Sequence, residues 1–523
     1  MNIMLKPMKK SKLNNILARI FAIIFCAAIA LTGMPAPAYA EGDTVILGYL
    51  AAYNAKLNPF VCTERDLISV GSLLYESLFE LDSNLQPQPL LAETWGYEDG
   101  VWTINIRTGV LFHNGVELVA QDIVDSCNYF RSAPDSNPYA GRVSKIDSIT
   151  ATDTFQLKVE CDYTGYMALY CLTFPIVQRD TAYADVPMGT GPFWCTSYAQ
   201  DDHIRLEANA LWWKQQPTMK VLHFQHFWDI GDMLSALQAG DVEMFQTRSA
   251  TAALTKKLSY ASFLDYATTS YEVLIPNMDG MLGDQNLRKA IMYAIDYDTL
   301  TSNVYLNMAQ QCEVPIHPSS WLYETQSAVY YYSPERAMQY LYDSGWTDMT
   351  GDTMLNKVED NVLLYIDVNI LVYNEASTKV RSNAAAQIAE NLRSVGINAT
   401  VEVAESRRDV RKAMEDGKFD LALVSMNLSE VPDLIPLFSE KGNLNYSKFT
   451  NETLNQMLRE CASAKDEQAM KLAYSNIQSY IVKNLPIMGV CFRTGMVLSG
   501  RSMAGMSVSR ETDAYSGIEF LAN

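Results

Sequence analysis

The chain has 523 residues, 48% of them hydrophobic, and carries 60 acidic against 40 basic residues. It is too long for one ordinary core, so two or three lobes are expected, each able to bury an interior. Five of the basic residues and none of the acidic ones fall in the first 40 positions. That leaves 35 against 60, a net charge of −25, beyond them, and excludes nucleic acid and anionic membrane surfaces as natural partners.

Lys6, Lys9, Lys10, Lys12 and Arg19 precede an apolar run from Ile20 to Leu31 and the small-residue segment ending Ala38-Tyr39-Ala40. This order is that of a secretory signal cleaved after Ala40. The apolar run falls short of the roughly 20 residues a membrane span needs. Cys26 follows Ile24-Phe25 rather than the small residue that lipoprotein processing requires, so the expected product is exported without a lipid anchor. Eight cysteines remain, an even number in an exported chain; one or two disulfides are plausible, Cys161–Cys171 being the favoured pair and free buried thiols the alternative. None has the CxxC spacing of a zinc or redox site.

Thr44–Tyr49 reads as a short buried strand, after which Tyr53 and Asn54 are placed to reach a cleft. Leu67, Val70, Leu73 and Leu74 have helical spacing and run into Tyr75-Glu76-Ser77-Leu78-Phe79. From Leu91 to Ser126 come a Trp at a helix-to-loop junction (Trp95), an Asp99-Gly100 turn, and a period-2 strand with Trp102, Ile104 and Ile106 on one face. Gly turns at 109 and 115 follow, then a helix whose Ile123, Val124 and Cys127 point inward. Phe155, Leu157, Val159 and Cys161 make a second alternating strand. In Pro187–Phe193 the glycines form a structural turn, since no Lys-Ser/Thr follows as in a phosphate loop. Met233, Leu234 and Leu237 define a helix stopped by Gly240. His223 and His226, three apart on a strand, point to opposite faces and make a poor metal pair.

Tyr271–Asn277 reads as a strand leaving a first lobe. Helices follow at 287–296, from Ser333-Pro334 to Gly345, and from Val380 to Gly396. Strand Asn398–Val403, a helix through Val410 and Met414, and the buried strand Phe419–Val424 give a βαβ order, hence a second α/β lobe. A late helix spans about Asp466 to Asn484 before Leu485-Pro486. The chain has no GxSxG elbow, no HExxH, and five scattered histidines, so no nucleophile-base pair is recognisable and an enzyme is not expected.

The pattern of Leu91, Ala92, Trp95, Asp99-Gly100, Arg107, Gly109-Val110, Phe112-His113, Gly115, Ala120, Asp122-Ile123 and Ser126 closely resembles the signature of the family 5 solute-binding proteins of ABC importers. Pro187–Phe193, Trp212-Trp213 and Leu287–Asp296 extend the resemblance over nearly all of residues 44–493.

The resemblance implies an α/β, two-lobed periplasmic-binding-protein-like fold of the class II or cluster C type, with an extra α/β subdomain and a two-segment hinge. Residues 1–40 would be the signal peptide. Lobe 1 would take 41–80, 187–275 and 491–523, the extra subdomain 81–186, and lobe 2 276–490. It also implies capture of peptides or peptide-like solutes by hinge closure and delivery to ABC permease subunits, with no cofactor, no metal and a monomeric chain. The alternatives are a non-peptide solute such as a sugar or metal chelate, and a ligand-sensing receptor subunit without import.

The family's Y-E-G-L segment, whose backbone sits at the ligand, corresponds to Glu76, Ser77 and Leu78, with Ser77 replacing Gly. Around Phe419–Asp433 the chain departs from the family: Met426 stands where Trp is usual, and Ser429 where an Asp binds the ligand's ammonium. Glu430 and Asp433 follow. Either Glu430 takes the ammonium, or the ligand has no free amine there.

Overall fold

The computed structural model describes residues 43–257, 261–375, 378–508 and 510–521; the signal segment, its cleavage site and Cys26 lie outside them. Among the described residues no helix is long and apolar enough to cross a membrane.

An 11-stranded mixed sheet forms the frame. One half runs Phe193–Ala199, His203–Ala208, Val221–Phe227, Thr44–Leu50, Met244–Thr247; the other runs Leu421–Asn427, Asp367–Tyr373, Asn398–Ala404. Between the halves lie two long antiparallel strands, Ser262–Pro276 and Met488–Ser499. Asp367–Tyr373 pairs in parallel with Asn398–Ala404 through the helix Val380–Ser394, as the βαβ reading requires. Ala384, Ile388 and Leu392 of that helix are fully buried. The strand expected at 419–424 is Leu421–Asn427, parallel to Asp367–Tyr373 on one side and antiparallel to Ser262–Pro276 on the other.

A separate four-stranded antiparallel sheet orders Ala92–Glu98, Val101–Ile106, Gln156–Cys161 and Ile146–Asp153, with the helix Ala120–Phe130 packed on it. Trp102, Ile104 and Ile106 are buried as their alternation predicts. Trp95 differs from its reading: it lies within a strand and is partly exposed, because its own strand pairs directly with Val101–Ile106 across the Asp99-Gly100 turn. The expected Cys161–Cys171 disulfide does not form; both are buried free thiols, as are Cys62, Cys127, Cys312, Cys461 and Cys491, while Cys195 is half-buried and free. Burial pushes the Cys161 thiol up to about 12 and Cys171 well above its ordinary value, so neither has thiolate character.

Two glycines set how closely segments approach. A Cβ on Gly189 would sit 2.0 Å from the Leu74 carbonyl oxygen, so the 187–193 turn can lie directly against the segment carrying Glu76. On Gly489, in the second long strand, it would lie 1.9 Å from the hydroxyl of Tyr271, a fully buried side chain on the first. Gly489→Ala therefore overpacks the pair of strands joining the sheet halves. The expected loss, read by urea unfolding, is about 1–3 kcal/mol or more; a change below about 0.5 kcal/mol would mean that the strands slide past each other freely.

Candidate functional site

The two long strands do not pair evenly: their register shifts between Ala267 and Tyr271, so the residues 268–270 step out of the ladder. The end of Leu421–Asn427 reaches this step, where the Leu428 amide donates to the Thr269 carbonyl over 2.8 Å. Two cavities open there. One, of about 520 Å³, has Arg65, Arg142, Arg248, Ser429 and Glu430 in its wall. The other, of about 620 Å³, has Trp228, Arg381, Arg407 and Arg493. They share Arg65, Arg248 and Asn427 and so form one cleft between the sheet halves, of the size that holds small ligands.

Glu430 closes one side. Its Oε2 lies 2.6 Å from Arg142 Nη2, and its Oε1 accepts from the Thr512 hydroxyl over 2.6 Å. Arg142 is itself held by Thr173, to which Nη1 donates over 2.6 Å at Oγ1. Burial pushes the Glu430 carboxyl up, but the charges of Arg142 and Arg510 and the Thr512 bond outweigh it and hold it below its usual value. Glu430 is therefore an ionised group whose charge is already neutralised from within the protein.

A second ionic cluster lies on the opposite side. Arg381 Nε and Nη2 donate to Glu272 over 3.1 and 3.3 Å, and Nη2 to Glu375 Oε1 over 2.9 Å. Arg493 Nη1 is 3.8 Å from Glu272 and 3.9 Å from Glu375. Tyr373 and Tyr305 cover the two guanidiniums at 4.5 and 4.9 Å. Arg381 Nη1 and Arg493 Nε are buried donors without a hydrogen-bond partner. Arg407 opens the helix Arg407–Glu415 and is exposed.

The remaining residues expected at a ligand are spread over several environments. Ser429 lines the first cavity, and its hydroxyl accepts from the Val431 amide over 3.0 Å. Asp433 lines a neighbouring cavity of about 250 Å³ and accepts from the Tyr163 hydroxyl over 2.7 Å. Met426 is buried in the sheet opposite Tyr271, and Leu78 is fully buried. Ser77 donates to the Phe79 carbonyl over 2.6 Å.

Glu76 is buried, with Thr190 at 2.7 Å, Trp213 Nε1 at 2.8 Å and Trp212 Nε1 at 3.2 Å all donating to it. Burial raises its pKa despite Lys214 and these bonds. It brackets the 187–193 turn to the tryptophan pair. Tyr53 is 73% exposed beside Trp228, and Asn54 is held in a left-handed turn by the hydrogen bond that its backbone N–H donates to the Asp201 carboxylate; neither lines the cavities described above. His223 stacks on His203 at 5.6 Å, and His226 Nε2 lies 3.1 Å from the Ala51 carbonyl. Among the described residues no group of three or more His, Cys, Asp or Glu is arranged to hold a metal ion.

The arginines are what the sequence reading missed. Each lies in an unremarkable local context, and they come from positions 65, 142, 248, 381, 407 and 493, so only the fold assembles them. Most of their charge is already paired: Arg65 lies 2.9 Å from Asp66 and 3.7 Å from Glu511, and Arg248 3.1 Å from Glu511. What the arrangement offers a bound molecule is the buried donors left without a partner, Arg142 Nε, Arg381 Nη1 and Arg493 Nε, and the exposed Arg407.

The oligopeptide-binding protein AppA of Bacillus subtilis (strain 168) is 24% identical over 503 residues, covering 91% of each chain. Among solved structures, HbpA2 from Haemophilus parasuis superposes with a TM-score of 0.77 at 21% identity over 92% of this chain and 99% of that one. NikA from Brucella suis, in complex with Fe(III)-EDTA, does so at 0.74 and 17%, over 92% and 99%. These likenesses place the fold as two-lobed and α/β, and the relatives are binding proteins rather than enzymes. The sequence model described as "Bacterial extracellular solute-binding proteins, family 5 Middle" matches residues 86–443, and the chain belongs to this family of ABC-importer binding proteins.

Proposed function

We propose that the protein, exported and freed of its signal after Ala40, captures a peptide or peptide-like solute bearing at least one carboxylate, and delivers it to an ABC permease. The observation that carries this reading is the pairing at the cleft. Glu430, the carboxylate next in line to receive an ammonium, is engaged by Arg142 and Thr512, and Glu511, which lines the same cavity, by Arg65 and Arg248, while Arg381 and Arg493 present buried donors without partners. An unpaired ammonium in such a cleft loses its hydration without gaining a partner, whereas a carboxylate gains charge-assisted bonds. Two long strands join the sheet halves, so a small change in few backbone torsions closes the cleft, and a solute touching both halves favours the closed form.

Calorimetry on purified protein with a library of short peptides, each prepared free, N-acetylated or C-amidated, tests this. N-acetylation is expected to change the Kd by less than about threefold, and C-amidation to weaken binding at least about tenfold, the scale of one charge-assisted bond. The reverse pattern would return the ammonium to Glu430 and overturn the reading. A second reading, a carboxylate-bearing metal chelate, is favoured by the same arginines and by the Fe(III)-EDTA held by the Brucella suis neighbour. Thermal stabilisation by a chelate but by no peptide would select it.

A further inference from the structure

Beyond the arginine-lined cavities the cleft continues into a smaller space of about 70 Å³, which shares Ala267, Thr269, Leu428, Ser429 and Glu430 with the first of them. Leu85, Pro315, Ile316 and Phe492 give it apolar walls. Its volume corresponds to several waters or one branched aliphatic side chain. The two charged groups at its edge are satisfied elsewhere, Glu430 by Arg142 and Thr512, and Arg510 by Asp513 and the Leu81 carbonyl.

His317 lines this space and is 92% buried, being only 8% exposed. The Ser319 amide donates to its Nδ1 over 3.0 Å, so in the neutral ring the proton resides on Nε2. Phe492 packs edge-on against the imidazole at 4.9 Å and fixes its plane. Burial lowers the His317 pKa to about 4, which keeps the ring neutral at physiological pH. Its Nε2–H is then a buried donor with no partner in the protein, an arrangement that costs stability unless something accepts from it. Of the hydroxyls along this wall, that of Tyr170 donates to the Leu85 carbonyl and accepts from Trp321 Nε1 over 2.8 Å, that of Thr268 donates to the Arg493 carbonyl, and those of Ser320 and Ser429 accept from backbone amides.

We propose that this end of the cleft is a side-chain subsite, taking an aliphatic side chain of the bound solute while His317 Nε2–H donates to the carbonyl beside it. The proposal rests on the cleft being the solute site, and it adds the class of solute: a peptide or acyl compound with a Leu-, Ile- or Val-like group next to an acceptor. A solute that fills the pocket without an acceptor leaves the donor orphaned, and one with an acceptor but a charged side chain buries that charge against Ile316 and Phe492. Both are disfavoured, so shape and one hydrogen bond together set selectivity.

The test uses the full exported chain and N-acetylated tetrapeptides with a free C-terminal carboxylate, with leucine or glycine at each position in turn. Leucine is expected to bind about tenfold or more tighter than glycine at one position. His317→Phe keeps the aromatic bulk and is expected to weaken the leucine peptide at least fivefold, with His317→Gln, whose amide can donate from nearly the same place, recovering part of the loss. In protein labelled with ¹⁵N-histidine, the His317 Nε2 resonance, assigned by its absence in His317→Phe, should move on binding.

Affinity unchanged in His317→Phe with an unmoved resonance, or no leucine preference at any position, would overturn the subsite while leaving the carboxylate reading intact. A leucine preference in peptides whose affinity is unchanged by C-amidation would do the reverse. Failure of every peptide to bind would overturn both.

Discussion

Replacing Arg142 by Met is expected to lower the unfolding free energy by about 3–5 kcal/mol at pH 7, the usual consequence of leaving a buried charge without its partner. The Arg142 side chain is 4% exposed and that of Glu430 10%, with 2.6 Å between them, so solvent screens the pair little. The sign of the pH dependence follows from Glu430, whose folded pKa is held below its ordinary value. Its contribution is complete above its unfolded pKa, about 4.3, and is lost as the pH falls through the lower folded value.

In Arg142→Met that pull weakens. Only Arg510 and the Thr512 bond are left to oppose burial, the Glu430 pKa rises from its folded value in the parent, and acidification costs the variant less than the parent. The gap between them is therefore widest near neutrality and narrows on acidification. Urea titrations at several pH values read this directly, and a gap independent of pH would reduce the effect to lost packing. Adding Glu430→Gln to the variant should restore most of the loss, since both charges then leave together.

The second large effect is expected at Glu272, which is 1% exposed and faces two guanidiniums, Arg381 in two hydrogen bonds and Arg493 at 3.8 Å. Burial alone would lower the Arg381 pKa; the charge of Glu272 overrides it and raises it. Glu272→Gln leaves Arg381 and Arg493 with Glu375 as their remaining carboxylate, itself 32% exposed. The expected loss is again about 3–5 kcal/mol, larger than at most single positions. A cycle with Arg381→Met separates charge from shape: the double variant should be more stable than the two single losses predict by about 1 kcal/mol or more. Additive losses would show that Glu272 acts through packing alone.

Much of the fold was legible because its signals are local. Trp102, Ile104 and Ile106 alternate and are buried; Ala384, Ile388 and Leu392 recur every four residues on the helix Val380–Ser394; Gly240, after the helix Ile230–Ala239, has the left-handed φ of 82° expected of a stop. The candidate site was legible only in outline. Glu430 was singled out by its place beside Ser429, and it does line the cleft.

What its carboxylate does depends on Arg142, 288 positions away, and no periodicity or spacing reports such a partner. Glu76 shows the same gap: the family resemblance places its segment at a ligand, and it does line, with Ser77 and Glu430, a cavity of about 130 Å³, but its bonds to the indoles of Trp212 and Trp213 come from residues more than 130 positions away. Burial of Met426 and Leu78 follows from the sheet and the core they join, and for Met426 from pairing with a strand some 150 residues earlier.

The position of the strand Met488–Ser499 has a consequence for how the chain is made. Although nearly last in sequence, it lies in the middle of the large sheet, between Ser262–Pro276 and Met244–Thr247. Synthesis delivers it after every strand that it joins. Until it arrives, both neighbours expose open edges, which invite pairing with other chains. Completion of the large sheet must therefore wait for the C-terminal segment, and a chain cut short before residue 488 should aggregate through these open edges.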